Sequence, residues 1–199
     1  MRWKKFYISS LLLAFIASSA VPLLAGEKLP TYGRVPDFTF TERSGKEMGL
    51  SDLKGKVWIA DFIFTRCQGT CPLLTGQMAG LQGKLTQPDI KLVSFSVDPE
   101  HDTPKVLLEY ASRYHAQENK WFFLTGKKSE IWNFATEGFS LGVAEPTPED
   151  LKAGAEPVIH SNRIVLVDQA GSIRGYYDGS EPPVIEKLVK DASQLASLM

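Results

Sequence analysis

Apolar residues fall along this chain in two rhythms, and their alternation lays out the elements. Residues 57–64 (Val-Trp-Ile-Ala-Asp-Phe-Ile-Phe) and 90–97 (Ile-Lys-Leu-Val-Ser-Phe-Ser-Val) are nearly unbroken apolar runs of strand length, the pattern of strands covered on both faces. Between them residues 73–85 carry a helical pattern, so strand, helix and strand form a parallel crossover. Upstream, residues 37–41 alternate apolar and polar, Ser44-Gly45 supplies a turn, and residues 46–50 return as a short strand; residues 51–56 then form a turn. Downstream, Asp98-Pro99 stops the second strand, and Thr103-Pro104 is a good N-cap and first-position pair for a helix over 105–114. A short strand at 121–124, a helix over 129–139 and an acidic, proline-containing loop at 144–157 come next. Strands at 162–167 and 172–177 flank the turn Asp168-Gln-Ala-Gly171, and a helix over 184–198 closes the chain. Parallel crossovers followed by an antiparallel hairpin and a last helix describe an α/β fold with a mixed sheet flanked by helices.

The chemistry concentrates in one loop. The chain has two cysteines, Cys67 and Cys71, and both lie just past the first core strand, with Pro72 opening the helix that follows. Proline suits the first turn of a helix, so the two sulfurs are expected near a helix N-terminus, whose partial positive charge favours thiolate over thiol. Cysteines four apart on a helical turn hold their Cβ atoms roughly 5–6 Å apart, which suits two arms around one soft metal ion. A disulfide needs about 3.5–4.5 Å, and Gly69 lets the loop leave helical geometry to reach it. A metal-binding dithiol and a reversible Cys67–Cys71 disulfide are both open to this pair, which the sequence places in a surface loop. With its redox loop at the carboxyl end of a core strand, the order of elements is the thioredoxin pattern with an N-terminal hairpin and insertions.

Two thiolates rarely complete a metal site, so the three histidines are the candidate third donors. His101 sits in a polar turn and His115 at the end of a helical pattern, settings in which an exposed side chain is the plain expectation. His160 differs, because it stands at the entrance to the apolar strand 162–167. Arg66, next to Cys67, can lower that thiol's pKa or face solvent. Met48 and Met78 lie in apolar patterns and are expected in the core, as are Trp58, Trp121 and Trp132.

Charge and the N-terminus bound the rest. Residues 1–26 combine a basic start (Arg2, Lys4, Lys5) with a long apolar run, as in an export signal or a membrane anchor. Ser18-Ser19-Ala20 offers a cleavage site, while the length of the run favours an anchor; either way the remainder is placed on the exported side, in the periplasm. Of the 22 basic side chains three lie in that segment, leaving 19 against 23 acidic ones, a charge of −4, with no basic patch of the kind that binds nucleic acid. Residues 27–36 are expected to be a linker and 37–199 one domain. Such an exported domain sits where disulfides can form.

Three segments together carry a family resemblance over residues 33–199. Cys67-Gln-Gly-Thr-Cys-Pro72 resembles the C-x-x-x-C-P motif, Ser96-Val-Asp-Pro-Glu-His-Asp-Thr-Pro104 the S-V-D-P-x-x-D-T-P segment, and His160 ahead of its strand the single histidine of the SCO/SenC family, exported thioredoxin-like copper proteins that assist cytochrome c oxidase assembly. The resemblance implies that Cys67, Cys71 and His160 bind copper, as Cu(I) or Cu(II), and that His160 lies in the loop that faces the cysteines in thioredoxins. It implies as partner the copper-accepting subunit of the oxidase or another copper chaperone, with membrane contact through the N-terminal segment. Asp98 is a candidate for orienting His160 or a partner, or simply the first residue of an Asp-Pro turn. Two rival chemistries use the same cysteines: a thiol-disulfide oxidoreductase that reduces the acceptor without delivering copper, and a thiol peroxidase, which would leave His160 without a role.

Overall fold

The computed structural model describes residues 28–198. The expected signal or anchor at 1–26 lies outside them, and no helix among the described residues is long and apolar enough to cross a membrane. In chain order the strands and helices are β1 (Gly33–Arg34), β2 (Thr39–Glu42), β3 (Glu47–Gly49), α1 (Leu50–Leu53), β4 (Val57–Ile63), α2 (Cys71–Lys84), β5 (Ile90–Ser96), α3 (Pro104–Arg113) and β6 (Trp121–Thr125). There follow α4 (Lys128–Asn133) running into a π-helical turn (Phe134–Gly138), β7 (Val143–Ala144), α5 (Pro148–Lys152), β8 (Ile159–His160), β9 (Arg163–Val167), β10 (Ser172–Asp178) and α6 (Pro182–Ala196).

Among the described residues, eight strands form one mixed sheet in the order β1-β10-β9-β4-β5-β6-β2-β3, and β7 pairs with β8 apart from it. The parallel centre is β4, β5 and β6, with β9 running antiparallel on the other side of β4. All seven residues of β4 are buried, which is why its sequence is almost continuously apolar. Trp58, Ala60 and Phe62 point to one face and Ile59, Asp61 and Ile63 to the other, as the two-residue repeat of a strand requires. On the first face Phe62 stacks on Phe95 at 5.1 Å and meets Phe139 edge-on at 5.3 Å, within an aromatic cluster that includes Phe38 and Phe134. A fully buried side chain of this size contributes about 1.5–3 kcal/mol, so this cluster fixes the sheet on which the site is built. Met78, Trp58 and Trp121 are fully buried and Met48 nearly so, whereas Trp132 is half-buried, giving its indole N–H to the Val97 carbonyl at 2.8 Å.

Four expectations change in detail. Residues 32–35 are not a free linker: Tyr32 and Val35 donate backbone N–H groups to Ile173 and Gly171, and β1 extends the sheet beside β10. The turn at 51–56 begins as the single helical turn α1, closed by Asp52 accepting the Gly49 N–H at 2.8 Å. The helix read over 129–139 changes to π geometry at Phe134. The acidic loop at 144–157 contains α5, whose start is a capping box in which Thr147 accepts the Asp150 N–H and the Asp150 carboxylate accepts the Thr147 N–H.

Candidate functional site

Parallel pairing of β4 and β5 places their carboxyl ends together, with Ile63 opposite Ser96 and the Val97 N–H donating to the Ile63 carbonyl at 2.8 Å. The two turns that leave those ends share one buried hub, Asp102. Its carboxylate accepts the Thr65 N–H at 3.0 Å, the Thr65 hydroxyl at 2.5 Å and the Ser96 hydroxyl at 2.6 Å, and His101 Nδ1 lies 3.0 Å away. Thr65 precedes Cys67 by two residues, so Asp102 fixes the root of the cysteine loop. Charge-assisted bonds of this kind are the strong ones. The next link is Arg66, whose Nε donates to Asp98 Oδ2 at 2.6 Å. Its side chain is 47% exposed, so the pair contributes geometry more than stability.

Cys71 is the first residue of α2, with Pro72 behind it in the first turn, and Cys67 lies in the loop before. Both thiols are free, and both are buried, at 8% and 0% exposure, which corrects the surface-loop expectation. Burial has a second consequence. It pushes the Cys71 thiol up from its ordinary pKa, reinforced by Cys67 and by Asp61, and outweighs the helix terminus that was expected to favour the thiolate. A thiol so placed gives up its proton when a cation or a covalent partner replaces it.

His160 arrives on β8, outside the main sheet and 89 residues along the chain from Cys71. Its Nε2 stands 3.1 Å from Cys71 Sγ, its ring meets Phe64 edge-on at 5.5 Å, and its Nδ1 lies 2.9 Å from the Ser161 carbonyl. A carbonyl only accepts, so Nδ1 carries the hydrogen and the Nε2 lone pair faces the sulfurs. Burial lowers the His160 pKa, against the opposing pull of the Ser161 carbonyl and the Glu156 charge, and keeps the ring neutral as a metal ligand must be. The donor atoms of Cys67, Cys71 and His160 all lie within 4.8 Å of one another. Two soft sulfurs and an imidazole nitrogen at that spacing fit one copper ion, and the same spacing leaves the sulfurs a short loop movement from a disulfide.

The structure thus brings Cys67, Cys71 and His160 together and leaves Asp98 apart from His160. Asp98 holds Arg66, while the histidine is oriented by a backbone carbonyl. His101 and His115 are exposed. Asp98, His101 and Asp102 also place ligand atoms within 4.8 Å of one another, but Arg66 and the donors on Asp102 already occupy that carboxylate pair. A cleft of about 510 Å³ lined by Arg43, Met48, Lys91 and Phe122 contains none of these residues.

Three residues of the site's surroundings escaped the sequence reading. Asp102 lay in the motif but gave no sign of being a buried hub. Glu156 accepts the Gln68 N–H at 2.9 Å, a contact across 88 residues that no local pattern encodes. Asp61 is fully buried on the central strand with no well-formed hydrogen bond to either carboxylate oxygen, and burial raises its pKa to about 7 against the weaker lowering pull of the nearby Ser94 hydroxyl and its own backbone N–H. Ser94, opposite it in register, is engaged by the Trp121 indole N–H at 2.9 Å. A lone acid inside an apolar run was the available signal.

Residues 28–197 match the SCO1/SenC family model. The SCO1 protein homolog of Bacillus subtilis is 40% identical over 174 residues, 86% of this chain and 87% of that protein. Among solved structures, BsSco, described as a member of the Sco family of cytochrome c oxidase assembly proteins with a disulfide switch, superposes with a TM-score of 0.74 at 36% identity, covering 87% of this chain and 100% of that one. Yeast Sco1 with copper bound superposes with a TM-score of 0.65 at 26% identity, covering 82% and 90%.

Proposed function

The chain belongs to the SCO1/SenC family, and from that premise we propose that it binds copper through Cys67, Cys71 and His160 and passes it to a copper-accepting partner in cytochrome c oxidase assembly. The observation that carries this reading is the convergence of two free thiols and a correctly oriented imidazole from distant parts of the chain. Copper bound to this donor set is the cargo. The chain's own contribution is to hold the Nδ1 hydrogen on the Ser161 carbonyl, to shield the sulfurs from water, and to release two thiol protons when the metal arrives. A three-donor soft site suits Cu(I), and a further ligand is needed for Cu(II). The domain is proposed to work on the exported side of the membrane, with residues 1–26 as its anchor or cleaved signal.

A second reading rests on the free thiols standing within reach of each other. If a disulfide on the acceptor oxidises the pair, two electrons and two protons leave Cys67 and Cys71, the acceptor disulfide becomes a dithiol, and Cys67–Cys71 closes. The disulfide no longer offers thiolates, so copper holding and thiol reduction are alternative states of one site. Peroxide reduction fits less well, because Cys67 is buried and the neighbouring guanidinium is held by Asp98. Titration with Cu(I) under reducing and oxidising conditions is the test. One tightly bound copper per reduced chain, lost on oxidation, is the expected result; retention of copper by the oxidised chain would refute the coupling, and no tight site in either state would refute the function.

A further inference from the structure

We propose that Glu156 is a positioning residue for this site: by accepting the Gln68 N–H, its carboxylate latches the arm that carries His160 onto the loop that carries Cys67. The inference rests on the copper reading for its consequence, and on geometry for its existence. Residues 145–158 make an excursion between β7 and β8, and among the described residues those two strands are paired through Val143 with His160 and Ala144 with Ile159. So short a ribbon does not hold its own position. Among the described residues, most hydrogen bonds of 145–158 close within the excursion itself, through the Thr147 cap and bonds such as Ala155 N–H to the Asp150 carbonyl, while at its start the exposed Glu145 carboxylate accepts from Lys128 Nζ at 2.6 Å. The bond that reaches the cysteine loop is that of Glu156 Oε1 with the Gln68 N–H, at 2.9 Å.

That one bond has the right ends. Glu156 lies four residues before His160, and Gln68 is the neighbour of Cys67. Gly69 lies against it: a Cβ there would stand 3.4 Å from Glu156 Oε1 and 3.8 Å from Cys67 Sγ, ordinary contact distances. The carboxylate therefore lies over the sulfur side of the loop, close enough that its charge acts on the His160 ring. Apolar anchoring is thin by comparison: Val158 is buried, but Leu151 and Ile159 stand about half exposed. Val158 keeps the arm near the body, and Glu156 gives it direction.

The test compares Glu156→Ala, which removes the acceptor, with Glu156→Gln, which keeps a carbonyl oxygen at the same reach and removes the charge. In the reduced, copper-free chain, amide hydrogen exchange at Gln68 should accelerate about tenfold or more in the alanine variant and stay near the parent rate in the glutamine variant. Cu(II) affinity by competition titration should fall on the order of 10–100-fold in the alanine variant, as for lost ligand-orienting contacts elsewhere. Glutamine should restore it to within a few fold, with the melting temperature and the Cys67–Cys71 reduction potential unchanged in both. Parental Gln68 exchange in Glu156→Ala would overturn the latch, and so would a glutamine variant as impaired as the alanine one, since charge and not the hydrogen bond would then be at work. A parent chain that binds no copper would defeat the functional reading while leaving the Gln68 exchange to decide the latch by itself.

Discussion

The two halves of the site are built in opposite ways. The cysteine half grows from the stiffest part of the molecule: Thr65 and Ser96, at the ends of two parallel core strands, are tied to the same buried Asp102, and Cys71 is already part of α2. The histidine half sits on a two-residue strand after an excursion with half-exposed Leu151 and Ile159, and it meets the cysteine half through Glu156 on the Gln68 N–H and through His160 Nε2, 3.1 Å from Cys71 Sγ. What the contrast teaches is a division of labour. The sulfurs are placed and shielded by the core strands and α2, whereas the third donor stands on a two-residue strand outside the main sheet. Under the proposed copper transfer, the donor on the lighter support is the one expected to let go first.

The largest effect expected from breaking this arrangement is at the cysteines. Cys67→Ser and Cys71→Ser should each abolish tight Cu(I) binding in competition titrations, a loss of 100-fold or more by analogy with contacts that only orient ligands, which cost about 10–100-fold. Because Cys71 is fully buried and Cys67 is 8% exposed, the Cys71 variant should also show the larger fall in melting temperature, a burial cost of about 1–3 kcal/mol for the hydroxyl. Equal melting temperatures with parental affinity would contradict the placement of both sulfurs. Next in size is the hub. Asp102→Ala leaves the Thr65 N–H and two hydroxyls without their acceptor, and urea unfolding should register a loss of about 3 kcal/mol or more. A loss below 1 kcal/mol would mean that the cysteine half is no stiffer than the histidine half.

Asp61 sharpens the comparison from within the stiff half. An acid whose folded pKa is raised above its unfolded value favours the folded state most when protonated, so its contribution is full below the ordinary carboxylate pKa and is lost as pH rises through about 7. The penalty at pH 8 amounts to roughly 4 kcal/mol at most, for a shift from 3.8 to about 7. Asp61→Asn should remove this fall in stability between pH 4 and 8 and unfold at higher urea than the parent at pH 8; parallel pH profiles would show that the carboxyl is not shielded as the structure has it. The smallest effect belongs to the arm: Glu156→Ala should leave stability within about 0.5 kcal/mol of the parent, the usual range for a surface substitution, and move only copper affinity and Gln68 exchange.

Much of this frame was legible in the sequence because local pattern encodes it. The continuous apolar runs marked β4 and β5, Thr103-Pro104 marked the start of α3, and Gly171, at φ +80°, closes the expected turn in which Asp168 Oδ1 accepts the Ala170 and Ser172 N–H groups. The cysteine pair announced itself by spacing. What remained hidden depended on the third dimension. Burial of the cysteines comes from packing that no local pattern encodes, and because that burial raises the Cys71 pKa, a helix-terminus argument taken alone gave the wrong direction. β1 was concealed because two residues paired to a sheet edge leave no periodicity, and Glu156 because its partner is a backbone N–H in another segment.

The central claim is that His160 serves the metal and not the disulfide. The direct measurement is His160→Ala, followed in one preparation by Cu(II) titration, Cu(I) competition and the Cys67–Cys71 reduction potential. Thiol exchange needs only an attacking thiolate and a partner disulfide, so the couple should still cycle, while stable Cu(II) binding is lost and Cu(I) binding weakens on the order of 10–100-fold or more. A variant that binds both copper states like the parent while its disulfide chemistry collapses would make His160 an acid–base group for thiol exchange, and the copper-carrier account would be wrong.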